Sequence, residues 1–161
     1  MTSSRRRLSR PVFLGPSAAL VLMAAAGCSS SDASASVTVP TPSSEAAAYC
    51  RALHKELPRT VAGQERSDPG SGSDLTAGWG DGEIVLRCGV PRPAEMDDAQ
   101  AKAVDANGVN WLLEQQEDGR PRFTTTLRKA YVEVTLSARY AHDATPLAAF
   151  APVVRKTVPS M

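Results

Sequence analysis

Two segments of this chain alternate apolar and polar residues with a period of two, and no other feature limits the possible folds as strongly. The first spans residues 131–136 and the second residues 83–90. Because successive side chains of a strand point to opposite faces of a sheet, each segment is predicted to be a strand with one buried face. The predicted buried positions are Val132, Val134 and Leu136 in the first segment and Ile84, Leu86, Cys88 and Val90 in the second. Glu133 and Arg87 are predicted to face outward.

Helical spacing marks one element on each side of these strands. Ala46, Cys50, Leu53 and Leu57 recur on one helical face, which predicts a helix from Ser44 to about Pro58. Near the C-terminus, Thr145-Pro146 is typical of a helix start, because proline is tolerated at the first helical position. The apolar stripe of this second helix is Leu147, Phe150, Ala151 and Val154. Pro152 is predicted to kink or split it, since proline lacks the N–H of the helical hydrogen bond.

Shorter patterns add further strands. Residues 75–79 are predicted to pair with residues 83–90 through a turn at Asp81-Gly82. Residues 109–114 and 122–127 are predicted to pair through a turn at residues 117–120. Residues 62–74 are predicted to be loop, and residues 94–107 either a short helix or an irregular crossing. The predicted fold is therefore an α+β domain with an N-terminal helix, a four- or five-stranded mainly antiparallel sheet and a C-terminal helix.

The N-terminus is typical of an export signal. Arg5, Arg6, Arg7 and Arg10 precede an apolar run that is short for a membrane span and closes on small residues. Residues 23–29, Met-Ala-Ala-Ala-Gly-Cys-Ser, resemble the bacterial lipobox, in which a small residue precedes a cysteine acylated through its sulfur. Residues 1–27 are therefore predicted to be a lipoprotein signal peptide and Cys28 the lipidated residue. Ala25 stands where leucine is usual. An uncleaved anchor is the alternative, and the export route, Sec or twin-arginine, stays open.

Composition divides the rest of the chain into two parts. Residues 28–44 are rich in Ser, Thr, Pro and Ala, which predicts a flexible tether, and residues 45–161 are predicted to form one small domain. The predicted location is the outer face of the cytoplasmic membrane. The chain has 18 Lys and Arg against 17 Asp and Glu, and four of the arginines and none of the acids lie in residues 1–27, so the remainder carries a net charge of −3. This charge argues against a nucleic acid partner.

The cysteines beyond Cys28 predict one cross-link. Cys50 lies on the apolar face of the predicted helix and Cys88 on the buried face of a predicted strand, so a helix-to-strand disulfide is consistent with both patterns. Two buried free thiols or a redox couple are the alternatives. The chain has no Cys-x-x-Cys spacing, which argues against a redox couple.

Several motifs in this order resemble a known family. Residues 87–93 are Arg-Cys-Gly-Val-Pro-Arg-Pro, residues 107–111 are Asn-Gly-Val-Asn-Trp, and residues 122–126, Arg-Phe-Thr-Thr-Thr, lead to Tyr-Val-Glu-Val at 131–134. Together they resemble an actinobacterial secreted or lipoprotein family, the domain of unknown function 3515. The resemblance covers roughly residues 45–155. It implies an envelope protein with a helix-to-strand cysteine pair, and it implies no known activity.

Residues able to support chemistry are few. The two histidines, His54 and His142, have no sequence motif that supplies a partner for acid–base catalysis. Residues 70–74 lack the order of a nucleophile elbow, and Glu95, Asp97 and Asp98 lack the ligand spacing of a calcium loop. The sequence therefore predicts no catalytic residue, no metal site and no cofactor.

Two aromatic residues and four arginines remain as candidates for binding. Trp79 and Trp111 are predicted to fill the core rather than to stack on a sugar ring. Arg87, Arg92, Arg122 and Arg128 would form either a cationic surface for an anionic polymer or an ordinary solvated strand face. The leading hypothesis is a non-catalytic, membrane-anchored envelope lipoprotein that binds a protein or a cell-wall component. An envelope enzyme with an unfamiliar site is second, and a small-molecule binding lipoprotein serving a transporter is third.

Overall fold

The computed structural model describes residues 37–161, which begin with a short segment and then helix α1 (Ser44–Glu56). Eight strands follow: β1 (Thr60–Val61), β2 (Gln64–Ser67), β3 (Thr76–Trp79), β4 (Ile84–Val90), β5 (Ala103–Ala106), β6 (Val109–Gln115), β7 (Pro121–Thr125) and β8 (Tyr131–Leu136). Helix α2 (Thr145–Thr157) ends the fold, and short 3-10 helices lie at Ala94–Asp97 and Ala138–Tyr140. The predicted signal peptide, the lipidation site Cys28 and the first part of the predicted tether lie outside the described residues.

The strands form one antiparallel sheet in the order β1-β2-β3-β4-β8-β7-β6-β5. The prediction of four or five strands was therefore wrong, because three strands at the two edges of the sheet were not recognised. The predicted central strands are present, and so are the hairpin turns at Asp81-Gly82 and at residues 117–120.

The two missed strands at one edge carry too little apolar sequence to be found by alternation. β2 consists of Gln, Glu, Arg and Ser, and β1 has only two residues. They are joined by Ala62 and Gly63, whose φ angles of 48° and 79° are the positive values that a type I′ hairpin turn requires. Local turn geometry and pairing with β3 thus create strands where the sequence predicts a loop.

The missed strand at the other edge, β5, depends on a similar turn. Asn107 and Gly108 join it to β6 with φ angles of 52° and 78°. The alanine-rich sequence before this turn has weak strand preference, so the pairing with β6 decides its conformation. The segment predicted as a helix or a crossing is in fact a 3-10 helix followed by this strand.

Both helices pack on one face of the sheet, called here the inner face, and the disulfide joins α1 to that face. Ser43 Oγ accepts a hydrogen bond from the Ala46 N–H at 3.3 Å and so caps α1. Cys50 and Cys88 are bonded, with their Cα atoms 5.5 Å apart, which confirms the predicted disulfide. Trp79 meets Phe150 of α2 edge to face at 5.1 Å between ring centroids. Within residues 37–161, neither helix has the length and hydropathy needed to cross a membrane.

A bulge in β4 moves Val90 away from the core. Cys88 pairs with Val132 and Val90 pairs with Tyr131, so Gly89 is the extra residue between two matched pairs. Because a one-residue slip exchanges the two faces, Val90 lies beside Tyr131 on the opposite, outer face of the sheet. Gly89 has φ of 89°, and a Cβ atom there would lie 2.6 Å from Pro42 Cγ. The prediction that Val90 faces inward with Cys88 was therefore wrong.

Helix α2 is one continuous element, although Pro152 lies inside it. Proline at this position removes the hydrogen bond to the carbonyl of Ala148. Asn107 Nδ2, from the β5–β6 turn, lies 3.5 Å from that carbonyl oxygen and donates to it. Arg155 Nη1 donates to the Asn107 carbonyl at 2.6 Å. The turn thus supplies a donor to the carbonyl that the proline leaves free, and of the predicted kink or split, the split was wrong.

Residues 37–43, which belong to the predicted tether, lie against the sheet. Val37 N donates to the Pro69 carbonyl at 3.3 Å, and Arg87 Nε donates to the Thr38 carbonyl at 3.0 Å. Pro40 is buried. These contacts lead the chain along β4 towards Gly89 and the start of α1.

Candidate functional site

An apolar groove lies on the outer face of the sheet. The segment between β4 and β5 crosses this face, and Met96 and Ala101 of that segment line the groove together with Leu112 and Tyr131. The groove has a volume of about 250 Å³. Leu112 is 3 % exposed although its side chain faces away from the helices, so the crossing segment shields part of the outer face.

Leu127 and Met161 stand at this groove and are largely exposed. Each is 69 % exposed, and the only other exposed large hydrophobic residue in the described part of the chain is Val39 at 37 %. Leu127 has φ of 53°, a left-handed conformation that is rare for a bulky side chain and costs roughly 1–2 kcal/mol.

Pairing with the last residues of the chain holds Leu127 in this conformation. The Leu127 carbonyl accepts from Met161 N at 3.1 Å, and Lys129 N donates to the Pro159 carbonyl at 3.0 Å. Arg128, which is buried, donates from Nη1 to the Val158 carbonyl at 3.0 Å. The backbone on both sides of Leu127 is thereby fixed, and its side chain is presented to solvent.

One ion pair includes Arg92, which lines the groove. Arg92 donates to both carboxylate oxygens of Asp97, at 3.0 and 2.8 Å, across the start of the crossing segment. Hydrogen bonding from Arg92 lowers the pKa of Asp97. This bidentate pair fixes the 3-10 helix that carries Met96.

Beside the groove, charged side chains of four adjacent strands form a row on the outer face. Arg87 Nη1 donates to Glu133 Oε1 at 3.0 Å, Arg122 Nε lies 3.8 Å from Glu133 Oε2, and Arg122 Nη1 lies 3.9 Å from Glu114 Oε1. Arg122 also donates to Gln116 Oε1. Glu133, predicted to face outward, does so but is only 7 % exposed, because arginines cover it from both sides. The row is therefore an internally compensated network.

Glu114 is the least well compensated member of this row. Burial raises its pKa, Arg122 opposes the rise, and Glu95 and Glu133 add to it. Its Oε2 atom is buried without a hydrogen-bond partner. The carboxyl is thus held in a setting that favours its neutral form.

A second concavity lies beside β2 and β3 and contains His54. It has a volume of about 310 Å³ and is lined by His54 of α1, Arg66 of β2, and Asp68, Ser73 and Asp74 of the loop before β3. Asp68 Oδ1 accepts from the backbone N–H groups of Ser71 and Gly72 at 3.2 and 3.4 Å, which orders that loop. We call this concavity the His54 cavity.

The contacts of His54 define which ring nitrogen carries the proton. Arg66 Nη2 lies 2.8 Å from His54 Nε2, and a guanidinium can only donate, so Nε2 is the acceptor and Nδ1 carries the hydrogen. Nδ1 faces Asp74 Oδ1 at 3.5 Å. Burial lowers the pKa of His54, the charge of Arg66 lowers it further, and Asp74 opposes both. The ring is therefore neutral at pH 7, and Arg66 covers the nitrogen that a general base would use.

The other residues singled out in the sequence lie elsewhere. Trp79 and Trp111 are fully buried, as predicted for core residues. His142 lies outside both concavities, beside Asp143, whose Oδ1 accepts from Thr145 N at 2.8 Å. No group of His, Cys, Asp or Glu side chains among residues 37–161 is arranged to hold a metal ion.

Sequence reasoning missed both concavities. Leu127 was assigned to the end of a predicted strand, Met96 to a segment predicted as a short helix or a crossing, and Met161 to no element. A leucine between polar residues at a strand end was the one available sign of an exposed apolar position. Arg66 and Asp74 were assigned to a loop, so nothing in the sequence joined them to His54.

An open antiparallel sheet, with two helices on its inner face and a disulfide from the first helix to a central strand, defines a small α+β domain. The chain belongs to the family described as protein of unknown function (DUF3515), whose model matches residues 13–161. The resemblance of the sequence motifs to the domain of unknown function 3515 is thereby confirmed. No curated protein and no solved structure matches the chain.

Proposed function

We propose that this chain is an extracytoplasmic lipoprotein, anchored through Cys28, whose domain binds an apolar segment of another envelope protein in the groove beside Leu127. The domain acts by binding and not by catalysis. The lipobox-like residues 23–29 support the anchor. The observation that carries the binding role is Leu127, which is exposed, apolar and held in an unfavourable backbone conformation.

The left-handed backbone conformation of Leu127 lowers stability, and the fold alone does not require a leucine there. Asparagine or glycine would occupy the left-handed conformation with less strain, and either would expose less apolar surface. Unfavourable conformations persist where the surrounding structure enforces them, and they concentrate at binding sites. An exposed leucine at such a position is therefore best explained by a contact with a partner.

The chemistry of the groove favours a protein partner over a cell-wall polymer. Methionine side chains adapt to varied apolar partners, and Met96 and Met161 both line the groove. A polar or anionic polymer would need uncompensated arginines. Arg87, Arg92 and Arg122 are each paired with a carboxylate of this chain, and Arg128 is buried.

The same geometry weighs against the enzyme hypothesis. His54 does lie near a carboxylate in a concavity, which is the arrangement such a hypothesis needs. Its Nε2 atom, however, accepts a hydrogen bond from Arg66, so no lone pair faces a substrate.

Leu127→Asn tests the binding role without harming the fold. Burying a leucine side chain contributes about 1.5–3 kcal/mol, so crosslinking of the partner in intact cells should fall by about tenfold or more. The free energy of unfolding should stay the same or rise by up to about 1 kcal/mol, because asparagine tolerates the left-handed region. Both quantities are measured on the full chain, by quantitative crosslinking and by denaturant unfolding.

Val39→Ser is the matched control, because it removes another exposed apolar side chain away from the groove. It should leave crosslinking unchanged. Equal recovery of the partner with Leu127→Asn and with the unaltered chain would contradict the proposal, and so would the absence of any crosslinked protein.

The anchor is tested separately by labelling cells with a fatty acid that carries a clickable group. We expect the label on the unaltered chain and its loss in Cys28→Ala, together with release of that variant from membranes. An unlabelled, membrane-free wild-type protein would overturn the lipoprotein assignment and leave the test of the groove intact.

A further inference from the structure

The His54 cavity brings together opposite charges that do not pair with each other. Arg66 donates from Nη2 to His54 Nε2 and to the His54 carbonyl, at 2.8 and 3.3 Å. Within residues 37–161 its other guanidinium N–H groups have no acceptor, and it forms no ion pair. Asp68 and Asp74 line the same cavity.

Each charged side chain of the cavity has acceptor or donor atoms that its contacts within residues 37–161 leave unused. Asp74 is 66 % exposed on its side chain, and among residues 37–161 its one close contact with a titratable group is the neutral His54 ring, whose Nδ1 lies 3.5 Å from Oδ1. Asp68 uses Oδ1 for backbone N–H groups, and among residues 37–161 no donor contacts its Oδ2. Arginine carries five N–H donors, and within the described residues 37–161 those of Nη2 are the ones engaged in Arg66.

The combination of charges selects the class of ligand. A simple anion would meet Arg66 but also two carboxylates, and a simple cation would meet the carboxylates but also Arg66. A molecule with a carboxylate at one end and an ammonium at the other satisfies all three. The cavity volume of about 310 Å³ is at the lower end of the range for small-molecule sites, which fits a ligand of amino-acid size.

We propose that the His54 cavity binds a small zwitterion, with its carboxylate against Arg66 and its ammonium group between Asp74 and Asp68. His54 acts as a positioning residue. Its Nδ1 lies 3.5 Å from Asp74 Oδ1 and its Nε2 accepts from Arg66, so the neutral ring contacts both charged partners. This site is separate from the groove beside Leu127, and its occupancy does not depend on the protein partner proposed there.

The test uses the oxidised full chain and three probes: L-alanine, propionate and ethylamine. The chain has two histidines, so their ring resonances can be followed individually by NMR, and His142→Gln assigns them. At pH 7, alanine should shift the His54 resonances saturably. Propionate and ethylamine should each bind at least about tenfold more weakly than alanine, since each lacks one of the two charge-assisted contacts.

Two variants separate the contributions of the charges. Arg66→Gln and Asp74→Asn should each weaken alanine binding by about tenfold or more. Arg51→Gln, on the exposed side of α1, is the matched control and should bind as the unaltered chain does. Because the two variants change different charges of the cavity, failure of one to fold leaves the other informative.

The relative affinities of the three probes distinguish a zwitterion site from a simple anion or cation site. Propionate binding as tightly as alanine would show a simple anion site, and ethylamine binding as tightly would show a simple cation site. Either result, or no shift of His54 with any of the three probes at millimolar concentration, would overturn the zwitterion proposal. None of these results bears on crosslinking at Leu127.

Discussion

At the scale of single residues, two glycines with nearly the same φ angle have different surroundings. Gly89 and Gly82 have φ of 89° and 91°. A Cβ atom at Gly89 would meet Pro42, whereas one at Gly82 would have nothing within 4 Å. The pair therefore separates the cost of the left-handed backbone from the cost of crowding.

Alanine at these two glycines should destabilise the chain to different extents. Gly82→Ala should lower the free energy of unfolding by about 1–2 kcal/mol, the backbone cost alone. Gly89→Ala should cost more, because Pro42 and the start of α1 must also move. Denaturant unfolding of both variants measures the difference, and Gly89→Ala with Pro42→Ala should recover part of it. Equal losses at the two glycines would mean that Pro42 does not press on the bulge.

His54 should make stability depend on pH. Its pKa in the folded chain lies below the ordinary value of 6.5, so the unfolded chain binds a proton more readily than the folded chain. The contribution of His54 to stability is therefore present above pH 6.5 and is lost as the pH falls from there towards the lowered folded pKa. His54→Gln should flatten this part of a stability-against-pH curve. His142→Gln should leave it in place, and the reverse result would reject the assignment.

At the scale of elements, the contact between the β5–β6 turn and α2 is the least expected. Asn107 serves two purposes there: its backbone adopts the left-handed conformation of the turn, and its amide reaches the carbonyl that Pro152 leaves free. A proline inside a helix is thus tolerated because a distant hairpin supplies the missing donor.

A double-mutant cycle tests this contact. Asn107→Gly keeps the turn conformation but removes the amide, and it should destabilise the chain by about 0.5–1.5 kcal/mol. In a Pro152→Ala background the Ala148 carbonyl regains its helical N–H, so the same change at Asn107 should cost less. The measurement is the coupling energy from four unfolding curves, and a coupling of zero would show that the proline and the turn are independent.

Sequence patterns predicted some of the helices and strands and not others. The strand at residues 131–136 and both helices were predictable because their apolar residues repeat at the period of the element and are buried by it. β2 was not, because its residues are polar and its pairing depends on a turn and on β3. The Gly89 bulge likewise changes the direction of Val90 without changing the alternation that suggested it.

The candidate sites were less predictable than the fold for a related reason. Arg66 lies 12 residues from His54, and only the meander of β1, β2 and β3 brings them together. Leu127 is notable for a backbone angle that composition does not reveal. A binding surface built from separate segments therefore becomes visible only when the strands are placed in order.

At the scale of the whole molecule, one covalent bond links the first helix to the centre of the sheet. The Cys50–Cys88 disulfide spans a sequence separation of 38 and encloses β1, β2 and β3. Cys50→Ala with Cys88→Ala should lower the free energy of unfolding by about 4 kcal/mol, as loop-closure entropy predicts. Denaturant unfolding of the double variant and of the oxidised chain measures this, and a loss well under 1 kcal/mol would assign the bracing of α1 to packing alone.

The loop closed by this disulfide also bears on when the protein can bind a ligand in the His54 cavity. Every side chain that lines the His54 cavity lies between Cys50 and Cys88 in the sequence. Disulfides form in oxidising compartments and not in the cytosol. For the exported lipoprotein proposed above, the cavity would reach its final geometry only during maturation beyond the membrane. A newly made copy still in the cytosol would then not bind cytosolic amino acids. Binding of the zwitterion would begin only after export.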